Sequence, residues 1–158
     1  MTKIFIPEGY KWSLDLVQTQ CFIKEIKDFF QYTLARNLDL LRVSAPMFVR
    51  TDTGLNDNLS GKEQAVTFNI LNDKDNTQLE IVHSLAKWKR DALKRYNFKM
   101  YKGLYADMNA IRAFEEFDNT HSIYVDQWDW EKIISHEDRN MEFLMMIVNV
   151  IFDTMKDL

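Results

Sequence analysis

A strand that passes directly into a helix is the feature that most constrains the fold of this chain. Leu79, Ile81 and His83 share one face at the two-residue period of a β-strand. Ser84 follows at the position expected for a helix N-cap, and the N-terminus of a helix favours negative charge. The sequence therefore predicts a strand-to-helix junction that either caps a surface helix or binds an anion.

The helix after this junction has a narrow apolar stripe and a basic remainder. At helical spacing the stripe comprises Leu85, Trp88 and Ala92. The basic side chains are Lys87, Lys89, Arg90 and Lys94. We expect the stripe to be buried and the cations to stay available, and on composition alone a surface helix with solvated lysines is the simpler interpretation.

Length and composition are those of one folded domain. With 158 residues, 46% hydrophobic content and few Gly or Pro, the chain can bury a core, and residues 1–158 are predicted to form a single α+β domain. The net charge of -4 argues against a broad surface for nucleic acid. The longest apolar run, Phe143–Phe152, is too short to span a bilayer, so no membrane partner is expected.

Two features bear on the cellular compartment. Cys21 is the single cysteine, and its neighbours Phe22 and Ile26 suggest a packed thiol in a reducing compartment. Residues 1–10 contain no apolar signal core. The sequence predicts a cytoplasmic protein.

Long helices alternate with paired strands along the chain. Ser13 can cap a helix that runs to about Asn37. Its predicted buried face comprises Phe22, Ile26, Phe29, Phe30 and Leu34. Residues Leu38–Val49 then have an extended pattern, in which Pro46 requires a sheet edge or an interface because proline cannot donate to a strand ladder.

Two hairpins are predicted in the middle of the chain. Alternation over residues 66–70, the turn formers of residues 72–77 and the strand from Leu79 predict the first. The second runs from Leu104 to Arg112, through a polar loop, and back along residues 121–130.

The two-residue period of a β-strand predicts which side chains of the returning strand share a face. Gln127 and Asp129 point to one face, and Trp128 and Trp130 point to the other. If the first face lines a cleft, an amide and a carboxylate two residues apart can hold an amino acid. If it faces solvent, the two tryptophans carry the burial.

Four blocks of the sequence resemble one family. They are Asp57–Gly61 (DNLSG), Val82–Arg90 (VHSLAKWKR), Gly103–Arg112 (GLYADMNAIR) and His121–Glu131 (HSIYVDQWDWE). Their order and wording are similar to those of the bacterial aspartate–ammonia ligases, the ammonia-dependent asparagine synthetases, over essentially the whole chain but only the N-terminal half of the family's length. The resemblance implies a class II aminoacyl-tRNA synthetase-like antiparallel sheet flanked by helices, here truncated. Residues 40–50 are similar to the first class II motif, which implies a homodimer.

The resemblance also implies a two-step reaction. ATP adenylates the side-chain carboxylate of aspartate, and ammonia then displaces AMP to give asparagine. Both steps handle extra negative charge, so the site must supply cations. Arg112 matches the arginine of the second class II motif, which suits the α-phosphate and the attacking carboxylate. Without that motif, a surface arginine at the end of a strand is an equal alternative.

Further site residues follow from the same resemblance. Ser84 and Lys89 match positions that contact substrate aspartate, and Gln127 and Asp129 match the partners of its α-amino group. Asp57 matches a residue near the incoming ammonia, where a carboxylate can bind ammonium and ease its deprotonation. A turn aspartate is the alternative for Asp57.

No metal site is predicted within this chain. The three histidines have no metal-ligand spacing: His83, His121 and His136. The resemblance implies that the groups that hold magnesium with ATP lie in the family's C-terminal half.

Ser135 and Asp138 form a capping signature for a last helix whose apolar pattern continues to Leu158. We therefore expect the chain to be incomplete and inactive by itself.

Three functional hypotheses remain open at this point. The chain is part of a working aspartate–ammonia ligase, or a half-length relative that binds an amino acid or a partner protein without catalysis, or a synthetase-like accessory that binds RNA. The acidic balance and the lack of a basic stripe disfavour the third.

Overall fold

The computed structural model describes residues 4–158. Residues 1–3 belong to the N-terminal segment that was predicted to contain no apolar signal core, and they lie outside the described part. Its helices and its mainly antiparallel strands agree with the predicted α+β class. In chain order they are α1 (Leu16–Leu38), β1 (Leu40–Arg42), β2 (Phe48–Arg50), a short 3₁₀ turn (Thr51–Thr53), β3 (Thr67–Asn69), β4 (Gln78–Ile81), α2 (Ala86–Arg95), β5 (Gly103–Ile111), β6 (Tyr124–Lys132) and α3 (Met141–Lys156).

The strands form two three-stranded sheets. One has the order β1-β5-β6 and the other has the order β2-β4-β3. Every pair is antiparallel except β1 with β5, which run parallel with Leu40 opposite Gly103. A Cβ atom on Gly103 would come within 2.5 Å of both the Glu131 carbonyl oxygen and the Leu40 side chain. The three strands approach this closely because position 103 has no side chain.

Both predicted hairpins are confirmed. β3 pairs with β4, and Asn72 and Asn76 adopt positive φ in the turn between them, a conformation that asparagine tolerates well. β5 pairs with β6 over nine residues on each strand. The returning strand begins at Tyr124 rather than at His121, because the Asp118 carboxylate accepts hydrogen bonds from the backbone N–H groups of Thr120 (2.7 Å) and His121 (2.8 Å) and closes a turn there.

The first helix corrects two predictions. Asp15, not Ser13, is its N-cap, because Asp15 and Gln18 form a reciprocal capping box. The predicted buried face is wrong in its first half, since Phe22 and Ile26 are 48% and 44% exposed. Cys21 is exposed as well, so it is not a packed thiol.

The second half of α1 does pack on the rest of the chain. Leu34 and Leu38 are fully buried, and Phe30 lies edge-on to Trp128 of β6 with ring centroids 5.5 Å apart. The apolar stripe of α1 thus finds partners in the described residues only near its C-terminal end, which is why sequence periodicity overestimated its burial.

The extended segment after α1 is two short strands joined by a link that contains Pro46. β1 and β2 each lie at the edge of their sheet. The predicted edge position is confirmed.

The last helix begins later than predicted. Ser135 and Asp138 do hydrogen bond to each other, with Ser135 Oγ donating to Asp138 Oδ2 at 2.8 Å and accepting from the Asp138 N–H at 3.2 Å. They close only a single turn, and α3 is capped by Asn140, whose side chain accepts from the Phe143 N–H at 2.8 Å. The helix ends at Lys156, two residues before the predicted end at Leu158.

The core lies between α2 and the β5–β6 sheet. The predicted stripe of α2 is confirmed, since Leu85, Trp88 and Ala92 are all buried. From β5 the core receives Leu104, Ala106, Met108 and Ala110. This packing brings the start of α2 against one face of β6.

Candidate active site

A polar cleft of about 330 Å³ opens beside the start of α2. Its lining residues come from loop 54–61, the β4–α2 junction, the end of β5 and the middle of β6. They are Leu59, Ser84, Arg112, Gln127, Trp128 and Asp129. Ser84, Arg112, Gln127 and Asp129, which the sequence singled out from three separate blocks, therefore share one cleft.

The register of the hairpin decides which way Gln127 and Asp129 point. Gln127 lies opposite Met108 and Asp129 lies opposite Ala106, and both partners are buried in the core. Directly opposite residues share a face of the sheet. Gln127 and Asp129 therefore lie on the face that packs against α2, not on a solvent face.

Lys89 provides the counter-ion on this face. Its Nζ lies 2.6 Å from Asp129 Oδ1, 2.8 Å from the Trp130 carbonyl oxygen and 3.6 Å from Glu131 Oε2. The residue is only 3% exposed. The expectation that the cations of α2 stay available is wrong for Lys89, because three oxygens of β6 surround its ammonium group. It holds for the neighbouring Arg90, whose side chain is 70% exposed.

Arg112 lies directly after β5, at the start of the loop that leads to β6. Its backbone N–H donates to the Ile123 carbonyl at 2.8 Å, which extends the hairpin pairing by one residue and fixes the base of the side chain. Nη1 reaches Glu115 Oε1 only at 3.4 Å, and the buried Nε–H has no partner among residues 4–158. A guanidinium with unpaired donors next to a cleft is suited to a phosphate or a carboxylate.

Ser84 lies one position earlier than a cap. Leu85 occupies the N-cap position without a side-chain cap, and Ser84 Oγ accepts a hydrogen bond from the Ala86 N–H at 3.2 Å. The predicted capping role is therefore off by one residue. The hydroxyl still satisfies the first N–H of α2 and lines the cleft.

Asp57 approaches the cleft indirectly. Its carboxylate accepts from the Leu59 N–H at 3.3 Å, and Leu59, which has a φ of 52°, lines the cleft. Asp57 is half-buried but is not itself a lining residue. The structure thus supports a turn role for Asp57 and places it behind one wall of the cleft.

Three residues of the site were not singled out from the sequence. Glu131 lies on the face of Asp129 at the next period-two position, so the alternation could have found it. Trp128 lines the cleft although it belongs to the other face of β6, and its buried Nε1–H has no partner in the described part of the chain. Leu59 lies within the family block Asp57–Gly61, but no role was assigned to it.

A second cavity of about 620 Å³ lies between the end of β6 and α3. It is larger but mainly apolar in its lining, which includes Ile134, Met141, Phe143, Leu144 and Ile147. None of the predicted site residues borders it, so the smaller polar cleft is the candidate active site.

The described residues contain no group of three or more His, Cys, Asp or Glu side chains that could hold a metal ion. His83 is buried, and neither of its ring nitrogens has a hydrogen-bond partner among residues 4–158. Within the same range, no helix combines the length and the apolar character needed to cross a bilayer.

The loop after Arg112 contains an ion pair that should respond to pH. Asp118 Oδ1 accepts from the His121 ring at 2.8 Å, and this hydrogen bond raises the pKa of His121 above its usual 6.5. The backbone N–H of Thr120 is the main cause that holds the pKa of Asp118 well below its usual range. Because folding raises the pKa of His121, its pairing with Asp118 contributes stability to the loop that is fully present below pH 6.5. That stability is lost as the pH rises through the pKa of His121 in the folded state.

We expect the His121 imidazole to titrate above pH 6.5 when followed by NMR, and the Asp118→Asn variant to lower its pKa toward the ordinary value. His136, which lies on a separate turn after β6, serves as an internal control in the same spectra. A His121 pKa that is unchanged by Asp118→Asn would show that the pair does not form in solution.

The fold of this chain is similar to that of solved synthetase structures. A histidyl-tRNA synthetase from Nostoc sp. PCC 7120 superimposes with a TM-score of 0.55 over 94% of this chain and 34% of that one, at 11% identity. An ATP phosphoribosyltransferase regulatory subunit/histidyl-tRNA synthetase from Bacillus halodurans gives a TM-score of 0.54 over 96% of this chain and 40% of that one, at 14% identity. At these identities the likeness shows the fold alone, and the fold is that of the class II synthetases.

Sequence comparison gives the particular family. The family model described as aspartate-ammonia ligase matches residues 17–158. The aspartate–ammonia ligase of Clostridium tetani is 60% identical over 155 residues, and those of Clostridium perfringens and Fusobacterium nucleatum are each 57% identical over 156 and 148 residues. The chain belongs to the aspartate–ammonia ligase family. The matches cover 98%, 99% and 94% of this chain but only 45%, 46% and 44% of these relatives, so it spans less than half of their length.

Proposed function

We propose that this chain supplies the aspartate-binding half of a ligase that joins ammonia to L-aspartate at the expense of ATP. The observation that carries the proposal is the single cleft formed by Ser84, Arg112, Gln127 and Asp129, with the buried Lys89 paired to Asp129. The products are L-asparagine, AMP and pyrophosphate. Membership of the ligase family supports this choice among the reactions that such a fold hosts.

The amino acid binds first in this scheme. The Asp129 carboxylate accepts from the α-ammonium group of aspartate, and the Gln127 amide, which lies on the same face, fixes its orientation. Lys89 and Ser84 bind its carboxylate oxygens. Lys89 and Asp129 pair with each other before the substrate binds. The α-ammonium and carboxylate groups of the substrate therefore replace this one ion pair within the protein with ion pairs between protein and substrate. This exchange limits the electrostatic cost of binding.

Adenylation follows at Arg112. A side-chain carboxylate oxygen of aspartate attacks the α-phosphorus of ATP, and the bond to pyrophosphate breaks. The guanidinium neutralises the α-phosphate and the attacking oxygen, which otherwise repel each other. Its unpaired Nε–H and its long contact to Glu115 leave donors for both groups.

Ammonia then attacks the acyl carbon of the β-aspartyl-adenylate, and AMP leaves. Ammonium must lose a proton first, and the Asp57 carboxylate at the rear of the Leu59 wall binds ammonium and assists that loss. Magnesium accompanies ATP in this proposal. When bound with ATP it would screen the phosphates, and no described residue is assigned to it.

The proposed working form is a cytoplasmic homodimer. Exposed apolar residues on the first half of α1 and the edge position of β1 support an interface on that side of the molecule. The second candidate, a half-length relative that binds an amino acid without catalysis, is supported by Gln127 and Asp129, which share one face of β6 and line the cleft.

The test joins this chain to the C-terminal half of the Clostridium tetani ligase, and we call this fusion the completed enzyme. We expect the completed enzyme to form asparagine and AMP from ATP, aspartate and ammonium, and the 158-residue chain alone to form neither. The intact Clostridium tetani ligase, assayed under the same conditions, serves as the control. Aspartate binding without product from the completed enzyme would favour the non-catalytic candidate.

A further inference from the structure

Asn56 makes an unusual pair of hydrogen bonds behind the cleft. Its side-chain amide donates to the Ile81 carbonyl at 3.1 Å, and its side-chain oxygen accepts from the His83 N–H at 2.8 Å. Asn56 is only 2% exposed. The amide thereby pairs with backbone groups at the end of β4 and two residues beyond it, where a neighbouring strand would otherwise bind.

These two bonds join the two segments that carry the cleft residues. On one side, Asn56 precedes Asp57, whose carboxylate holds the Leu59 N–H. On the other side, His83 precedes Ser84. The separation between the Asp57–Leu59 wall and the Ser84 hydroxyl is therefore set by one buried amide.

Leu55 of the loop that carries this wall packs on the core, and Asn56 supplies long-range hydrogen bonds from the same loop. Gly54, Leu59 and Gly61 all adopt positive φ. Its other side-chain bonds among the described residues are local, such as the one from Ser60 Oγ to Glu63 at 2.8 Å. A bond that spans 27 residues in sequence, such as Asn56 to His83, fixes the loop against the domain in a way that local turns cannot.

We propose that Asn56 is a positioning residue that holds the ammonia-side wall of the cleft against the β4–α2 junction. The inference rests on the proposed function and deepens it, because the wall decides whether ammonia or water reaches the acyl carbon of the adenylate. Attack by water on that carbon returns aspartate and releases AMP. A displaced wall therefore produces AMP without asparagine.

The first measurement does not depend on activity. In the 158-residue chain, Asn56→Ala should speed hydrogen exchange at the His83 amide by about tenfold or more, since loss of a buried hydrogen bond is worth on the order of a factor of ten. Asn69→Ala is the matched control, because the Asn69 amide also bonds within the chain, to Asn76, but on the exposed β3–β4 hairpin. Unchanged exchange at His83 in Asn56→Ala would overturn the proposal.

The second measurement uses the completed enzyme. We expect Asn56→Ala to raise the KM for ammonium about tenfold and the ratio of AMP to asparagine at least about twofold, with smaller changes in the KM for ATP. Asn56→Gln keeps the amide donor and the amide acceptor on a side chain one methylene longer, and we expect it to restore the ratio. If Asn56→Ala does not fold, Asn56→Asp is the test variant, because it keeps an acceptor for the His83 N–H but loses the donor to the Ile81 carbonyl, and we expect it to raise the ratio. A ratio that stays at one, with the KM values for ammonium, ATP and aspartate altered alike, would show a merely structural role and overturn the proposal. No asparagine from the completed enzyme without substitutions would overturn the proposed function, whereas the exchange result stands apart from it.

Discussion

Asp129→Ala should destabilise the chain by about 3 kcal/mol, because it leaves the Lys89 ammonium buried without its closest counter-ion. The Lys89 side chain is 4% exposed and that of Asp129 is 28% exposed. Removal of one partner of such a pair costs more than the pair contributes, since the remaining charge has lost its solvation and its neutralisation. Glu131, 3.6 Å from Nζ, and the Trp130 carbonyl keep the expected loss at the lower end of the usual range.

Urea denaturation of the 158-residue chain measures this change. Asp126→Ala is the matched control, because Asp126 lies on the opposite face of β6 and pairs with Lys27 at the surface, where we expect a loss of no more than about 1 kcal/mol. The double variant Lys89→Met with Asp129→Ala should recover much of the stability, since no lone charge remains. Equal losses for Asp126→Ala and Asp129→Ala would mean that the Lys89 pair is not buried in solution.

Arg112→Ala should have the largest effect on catalysis. In the completed enzyme we expect aspartate-dependent exchange of pyrophosphate into ATP to fall by about a hundredfold to a thousandfold, the usual effect of removing a group that stabilises transition-state charge. Arg112→Lys keeps the charge but loses the planar fork, so its exchange rate should be intermediate.

Stability should change little in Arg112→Ala, because the only side-chain hydrogen bond of Arg112 within residues 4–158 is the 3.4 Å one to Glu115. Arg95→Ala, which removes a surface arginine of α2 paired with Asp91, is the control for general effects of losing a cation. Normal pyrophosphate exchange in Arg112→Ala would show that the guanidinium does not act on the α-phosphate.

The parts of the fold that sequence predicted best are those in which one local pattern determines the outcome. The alternation along β6 fixed the common face of Gln127 and Asp129, and the helical spacing of α2 fixed the burial of Trp88. A period of two or of 3.6 residues states which side chains share a face, and burial of that face follows from the hydrophobic effect. It does not state which other element covers the face.

The errors arose where a distant residue or a side chain determined the result. The burial of Lys89 depends on oxygens of β6 about 40 residues later in the chain, and no helical pattern encodes them. The start of β6 moved because the Asp118 side chain captured backbone N–H groups that a strand would have used. For α1, Asp15 displaced Ser13 as the cap because Gln18 was placed to complete the box.

The candidate site divides in the same way. The family blocks predicted Ser84, Arg112, Gln127 and Asp129, and the fold brings all four to one cleft. The contribution of Asn56 could not be read from the sequence, since an asparagine in a polar loop looks like a turn former until its amide is seen on the backbone of another segment.

The most direct test of the account follows the oxygen of the substrate. Aspartate labelled with oxygen-18 in its side-chain carboxylate is given to the completed enzyme with ATP and ammonium, and the nucleotide product is analysed by mass spectrometry. If the cleft activates that carboxylate as an adenylate, the AMP that leaves carries one labelled oxygen and asparagine keeps the other. Unlabelled AMP, or ADP with the label in inorganic phosphate, would contradict the account.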